Sequence, residues 1–180
     1  MFKKFNTYNS KEIKAATKVL KSGNLSNFIA EWGQKFYGGE MVKKMEIKYA
    51  NYFKVKHAIA VNSWTAGLTC AIGALDIEPG DEVILPTWTM SACAAAVLHW
   101  NAIPVFADID PITLNIDINS VKKNISNKTR AILAVDICGK PAELSELKKI
   151  VNKKKIKIIS DSAQSPHAKY NKRFAGTLAD

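Results

Sequence analysis

Arginine is nearly missing. Only Arg130 and Arg173 carry a guanidinium among 180 residues, although the formal net charge is +10. The positive excess is lysine scattered over helix faces, which argues against a nucleic-acid partner. Its densest run, Lys153-Lys154-Lys155 with Lys157, falls between a helix and a strand, where a solvated turn is expected. There is no Cys-x-x-Cys pair. Cys70, Cys93 and Cys138 are odd in number, far apart and in apolar surroundings, which predicts reduced thiols in or near the core, a cytoplasmic compartment and no metal site. The opening Met1-Phe2-Lys3-Lys4-Phe5-Asn6 lacks the apolar run of a signal peptide, and no stretch approaches a membrane span, so a soluble chain with no membrane partner is expected. Internal repeats and low-complexity linkers are absent. So is the Gly-x-Gly-x-x-Gly of a dinucleotide-binding turn, which leaves a nucleotide-binding α/β domain as a minor alternative.

What is present has the make-up of a globular α/β chain, with 47% hydrophobic and 23% charged residues and a length that suits one domain or part of a larger one. Residues 10 to 22 read as a helix with Ser10 as N-cap, Ile13, Ala16 and Leu20 on one face, and Gly23 as the stop. Residues 24 to 39 form a polar connection holding Trp32, Phe36 and Tyr37, aromatics that call for a cover such as a partner subunit. Met41, Met45, Tyr49, Tyr52 and Phe53 then recur at helical spacing and read as core. From residue 57 the rhythm becomes strand, turn, helix. Strands are expected at 57–61, 82–85 (closed by Pro86), 103–106 (an edge or irregular strand because of Pro104), 130–135 and 156–160, with helices at 65–75, 91–100 and 143–151. Such alternation builds a mainly parallel sheet with helices on both faces.

The strand at 156–160 runs through Ile156, Ile158 and Ile159 and delivers Asp161 to the carboxyl edge of the sheet, where open α/β folds bind ligands. A carboxylate there either caps the next turn or pairs with a cationic ligand group. Asn62-Ser63-Trp64-Thr65-Ala66 leads into a helix, and hydroxyls with unpaired amides at a helix N-terminus suit a phosphate as well as a simple cap. Pro86-Thr87-Trp88-Thr89-Met90 is a second strand-to-helix loop. Its indole is either buried core or a platform for a flat ring. A ligand with a phosphate, an aromatic ring and a basic ring nitrogen would use all three strand ends, and pyridoxal 5′-phosphate (PLP) has those parts.

The order and spacing of several segments resemble the DegT/DnrJ/EryC/StrS family of PLP-dependent sugar aminotransferases. They are Lys21-Ser22-Gly23-Asn24-Leu25-Ser26, Ala60 to Leu68, Pro79 to Pro86, Pro104 to Pro111, Lys128 to Ile132 and Asp161-Ser162-Ala163-Gln164. The resemblance implies the large domain of a fold-type I transferase, three-layered, begun by a helical segment at 1–56 and continued at 57–180. On the same resemblance this domain is expected to be incomplete at the carboxyl end, and the small carboxyl-terminal domain to be absent. It further implies a catalytic Asp161 paired with the pyridinium nitrogen, and Gln164 near the phenolic oxygen and on the ring face. Ser63, Trp64 and Thr65 would serve the phosphate, and Trp88 or Met90 would cover the ring. Asp108, Asp110 and Gly139 read as turn residues, and Gly176 falls in the turn that leads towards the family's cofactor-bound lysine.

The sequence departs from that pattern in four places. Trp64 stands where the family has Gly, and Met90 where it has an aromatic. Asp136 and Cys138 stand where it has His and an aromatic, which bears on the sugar-side contacts. The lysine itself is expected beyond Asp180, since Lys169 and Lys172 precede the glycine turn in a hairpin-like segment, so this chain alone is expected to be inactive. The implied reaction is amination of a nucleotide-linked keto-sugar by an amino acid donor, glutamate, for cell-surface polysaccharide or related glycan synthesis, in a homodimer with shared active sites. A subunit keeping only the cofactor cradle and a sugar dehydratase of the same family are the alternatives.

Overall fold

The structure, a computed structural model, describes residues 7–152 and 155–180. Met1 to Asn6 and two lysines of the densest run, Lys153 and Lys154, lie outside the described residues. The chain divides into two compact units, Met1–Ala60 and Val61–Asp180.

In the first unit, α1 (Ser10–Ser22) is started by Asn9 rather than the expected Ser10. The Asn9 side chain accepts from the Lys11 amide at 2.8 Å, and Glu12 Oε2 accepts from the Asn9 amide at 2.8 Å. This reciprocal cap satisfies donors that a helix leaves open. Gly23, in the left-handed region at φ 68°, ends the helix. Gln34–Tyr37 is a single 3₁₀ turn that stacks Phe36 on Trp32 with ring centroids 4.5 Å apart. The expected core of α2 (Glu40–Phe53) is not one here. Met41, Met45, Tyr49 and Tyr52 are exposed, and so are Ile13 and Leu20 of α1. The periodicity marked an apolar face correctly, and of its residues only Phe53 is half-buried.

The second unit is a four-stranded parallel sheet in the order β2-β1-β3-β4, made of β1 (Glu82–Pro86), β2 (Ile103–Ala107), β3 (Thr129–Val135) and β4 (Lys157–Asp161). β2 is an edge strand, as Pro104 requires, because proline cannot donate to a ladder on both sides. On one face α3 (Trp64–Gly73) and α4 (Ser91–Leu98) bring Leu68, Ile72, Cys93 and Val97 against Val83, Leu85, Leu133 and Val135. On the other, α5 (Ile118–Asn124) and α6 (Leu144–Val151) bring Val121, Leu144 and Leu147 against Ile84, Ile132 and Ile158. Each large aliphatic side chain buried in this way contributes about 1.5–3 kcal/mol. A strand covered on both faces must be apolar throughout, which is why β1 and β3 read as unbroken hydrophobic runs. α5 was not expected from the sequence. Asp117, whose carboxylate accepts from the Asn119 and Ser120 amides, starts it.

Residues 57–61 form no strand, contrary to expectation. A strand needs a neighbour to take its amides and carbonyls. Here the Ala60 amide is taken by Glu46 Oε1 at 2.8 Å and Ile59 points outward, exposed. β5 (Lys169–Tyr170) and β6 (Arg173–Phe174) make the expected hairpin, with Asn171 and Lys172 both at positive φ in its turn. No helix among the described residues is long and apolar enough to cross a membrane.

Candidate functional site

Parallel strands end on the same side, so β1, β3 and β4 deliver their following loops to one edge of the sheet. β3 and β4 end in register, Val135 opposite Asp161, and the Asp136 amide extends the ladder by donating to the Asp161 carbonyl at 2.9 Å.

Asp161 is only 6% exposed. Its Oδ1 accepts from the Ala163 amide at 3.1 Å, the bland turn-capping role foreseen for it, and its Oδ2 faces the Cys93 thiol at 3.4 Å. A carboxylate has about four acceptor positions, so two described donors leave room for another. Among the described residues no lysine or arginine forms an ion pair with it. A buried carboxylate without a cation is costly unless a ligand supplies one.

Gln164 and the loop after β3 are held together. The Cys138 amide donates to Gln164 Oε1 at 2.7 Å, which fixes the side chain over a backbone whose Cys138 takes the uncommon φ of 50°. Gly139 lies against the Gln164 carbonyl. Asp136, one of the residues where sugar-side contacts were in question, turns inward and is fully buried. Its Oδ1 accepts from the Ala142 amide at 2.8 Å, and its Oδ2 accepts from the hydroxyls of Ser162 at 2.6 Å and Ser165 at 2.9 Å. It therefore clamps the loop after β3 to the loop that carries Asp161 and Gln164, a role the sequence reading missed. Gly176 is needed at the same place: it has φ 80°, and a Cβ there would stand 2.8 Å from Ser162 Oγ.

The β1 loop presents Trp88 at 56% and Met90 at 63% exposure, so the indole is no core residue. Both stand open at the strand end, and Met90 occupies the N-cap position of α4. Ser63 caps α3, its Oγ accepting from the Ala66 amide at 3.1 Å. Trp64 and Thr65 occupy the first turn, where helix amides have no intrahelical acceptor. Trp64 is half-exposed, with its ring beside Gly67, so its bulk lies alongside the helix. The hydrogen bonds of Ser63 and Thr65 are local to α3. Their placement relative to Asp161 follows from the packing of α3 and α4 on one face of the sheet, not from direct contact.

The cysteines divide. Cys93 is buried as expected, whereas Cys70 and Cys138 are exposed, and all three are free. Burial pushes the Cys93 thiol up to about 11, offset in part by a hydrogen bond from Thr89 and reinforced by the Asp161 charge. Asp110 accepts from the Ile112 and Thr113 amides and the Thr113 hydroxyl, a turn role that holds its carboxyl below the usual range. Among the described residues no cluster of His, Cys, Asp and Glu suits a metal.

Comparison with known proteins gives this arrangement its context. The profile of the DegT/DnrJ/EryC1/StrS aminotransferase family matches residues 8–180. The spore coat polysaccharide biosynthesis protein SpsC of Bacillus subtilis is 34% identical over 94% of this chain and 41% of its own length. GDP-perosamine synthase of Vibrio cholerae is 34% identical over 79% of this chain and 39% of its own length. A GDP-4-keto-6-deoxymannose-3-dehydratase solved with PLP and glutamate trapped together superposes with a TM-score of 0.84 at 31% identity, covering 97% of this chain and 44% of that one. The chain thus spans about two fifths of the length of the curated relatives it matches. The family and its PLP-bearing neighbours indicate PLP as cofactor, and the donor set fits it: a buried carboxylate and an exposed indole at the ends of parallel strands, with first-turn amides at the start of α3. The chain belongs to the DegT/DnrJ/EryC1/StrS aminotransferase family.

Proposed function

We propose that the chain is the amino-terminal part of an enzyme that aminates a nucleotide-linked keto-sugar, using PLP and an amino acid donor, glutamate, for polysaccharide or related glycan synthesis. The observation that carries this reading is Asp161, a carboxylate at the end of β4 with acceptor capacity left and no lysine or arginine paired with it among the described residues. The sugar-nucleotide and polysaccharide names of the relatives support the substrate class, and the neighbour trapped with glutamate supports the donor.

When bound, PLP supplies an electron sink for the donor's α-carbon. Asp161 would pair with the protonated ring nitrogen and favour the cationic ring, a charge stabilisation that needs little reorganisation because the carboxylate is already held by the Ala163 amide and the Cys93 thiol. Gln164, fixed by the Cys138 amide, orients the ring. The amides of Trp64 and Thr65, the Thr65 hydroxyl and the α3 dipole hold the phosphate, with Ser63 setting the first turn. Trp88 or Met90 covers the ring and excludes water. The family's lysine would be the group that moves the proton at the donor's α-carbon. Lys169 is a poor substitute, because it lies in the β5-β6 hairpin with its ammonium 5.2 Å from the Phe174 ring centroid. We further propose a homodimer that covers Phe28, Trp32 and Tyr37, the last two 81% and 61% exposed.

Borohydride reduction of the chain with PLP, followed by peptide mass mapping, tests this assignment. The expected result is reversible binding with no fixed adduct. A fixed adduct on Lys169 or Lys172 would overturn the assignment of the lysine role. A second reading, dehydration of the keto-sugar, is favoured by the dehydratase neighbour. It is separated by the product: glutamate-dependent loss of a sugar hydroxyl rather than gain of an amine.

A further inference from the structure

Asp161 has one acceptor oxygen bound to its own loop and the other bound to a residue 68 positions away in sequence, Cys93. That residue sits on the first turn of α4, is fully buried and packs with Val83, Leu85, Leu133 and Val135. A core position of this kind is ordinarily filled by an apolar side chain. The thiol here has two polar neighbours instead, Asp161 Oδ2 at 3.4 Å and Thr89 Oγ1 at 3.0 Å.

The direction of this short chain follows from its end. A carboxylate only accepts, so the single thiol proton goes to Asp161, and the Thr89 hydroxyl must then donate to sulfur. The order is Thr89 O–H to Cys93 S–H to Asp161 Oδ2. Thr89 stands between Trp88 and Met90 in the loop after β1, so one thiol joins the exposed platform residues to the buried carboxylate. The elevated thiol value agrees with this, since a neutral S–H remains a donor across the physiological range.

We propose that Cys93 is a positioning residue: its thiol holds Asp161 Oδ2 in place for a cationic ring nitrogen and, through Thr89, ties the loop bearing Trp88 and Met90 to that carboxylate. The proposal rests on the reading of Asp161 as the ring-nitrogen partner. Cys93 touches no ligand and acts through Asp161.

Infrared spectroscopy of the purified chain tests the hydrogen bond without cofactor. Cys93→Ala identifies the Cys93 S–H stretching band by its loss, because Cys70 and Cys138 are exposed and give a solvent-like band. The band is expected at lower frequency than those two, and Asp161→Asn, or Asp161→Ala where it folds, moves it back towards them. A Cys93 band at the unbonded position, or one unmoved by both Asp161 substitutions, overturns the proposal. PLP titration by tryptophan fluorescence tests the consequence. Cys93→Ala weakens binding about three- to tenfold, on the order of one modest hydrogen bond to a charged group, while Cys93→Ser, which keeps a donor, restores it to within about twofold of the parent. Equal PLP affinity in the parent and Cys93→Ala, with Asp161→Asn weakened, also overturns it. Equal affinity in Asp161→Asn instead overturns the ring-nitrogen reading, and the infrared result still decides the hydrogen bond.

Discussion

The helices of residues 7–60 and those of residues 61–180 follow the same periodic rules, yet only the second set has a core. α2 repeats Met41, Met45, Tyr49 and Tyr52 at helical spacing, and all four are exposed. Among the described residues of the first unit only Gly38 is buried. In the second unit Leu68, Ile72, Val97, Val121 and Leu147 sit on helices of comparable or shorter length and are buried against the strands. Periodicity therefore locates an apolar face, and a neighbouring surface decides whether that face becomes a core.

The sharpest way to break this contrast is to remove methylenes from each region. Leu133→Ala, at the centre of β3, is expected to cost about 2–5 kcal/mol of stability, whereas Met45→Ala in α2 is expected to stay within about 0.5 kcal/mol. Urea unfolding of both variants checks the pair, and equal losses would mean that α2 is covered after all.

The loops differ as well: the clamp in the second unit rests on one buried carboxylate. Asp136→Ala leaves the Ser162 and Ser165 hydroxyls and the Ala142 amide without their acceptor and is expected to cost about 2–3 kcal/mol. Increased amide exchange at 162–165 would locate that loss. In the first unit the corresponding local device is the Asn9 cap. Asn9→Ala is expected to cost about 1 kcal/mol of helix stability, seen as faster exchange confined to the first turns of α1 and little change in global unfolding.

The smallest effect is a pH dependence. The Cys93 thiol is raised from 9.0 to about 11 in the folded chain. The folded state therefore binds this proton more tightly than the unfolded state. The resulting stability is fully present below pH 9 and is lost as the pH rises from there through about 11. Cys93→Ser removes this component, so the stability difference between parent and variant should narrow or change sign across that window while staying flat below it.

Much of the second unit was legible because strands covered on both faces leave little choice of residue. Val83-Ile84-Leu85 and Ala131 to Val135 stand out as apolar runs, Pro86 closes one of them, and Asp161 breaks the pattern at the end of another. The segment 57–61 misled because alternating small and branched residues state only that a strand is permitted, whereas pairing needs a neighbour that the described residues do not provide. Asn9 and Glu12 have capping-box spacing, which favours Asn9 over Ser10 as the cap. Asp117 followed by Ser120 was the available sign of α5. Cys93 and Asp136 were not legible in their present roles. Side-chain hydrogen bonds between segments 26 to 68 residues apart depend on strand order, which local pattern does not encode.

The most direct test of the cradle is backbone amide NMR of the chain titrated with PLP. The largest shifts are expected at 63–66, 88–90, 138–139 and 161–165, at the carboxyl ends of β1, β3 and β4 and the start of α3. Shifts confined to the exposed Lys148, Lys149, Lys155 and Lys157, or none at these strand ends, would contradict the assignment of this edge as the cofactor site.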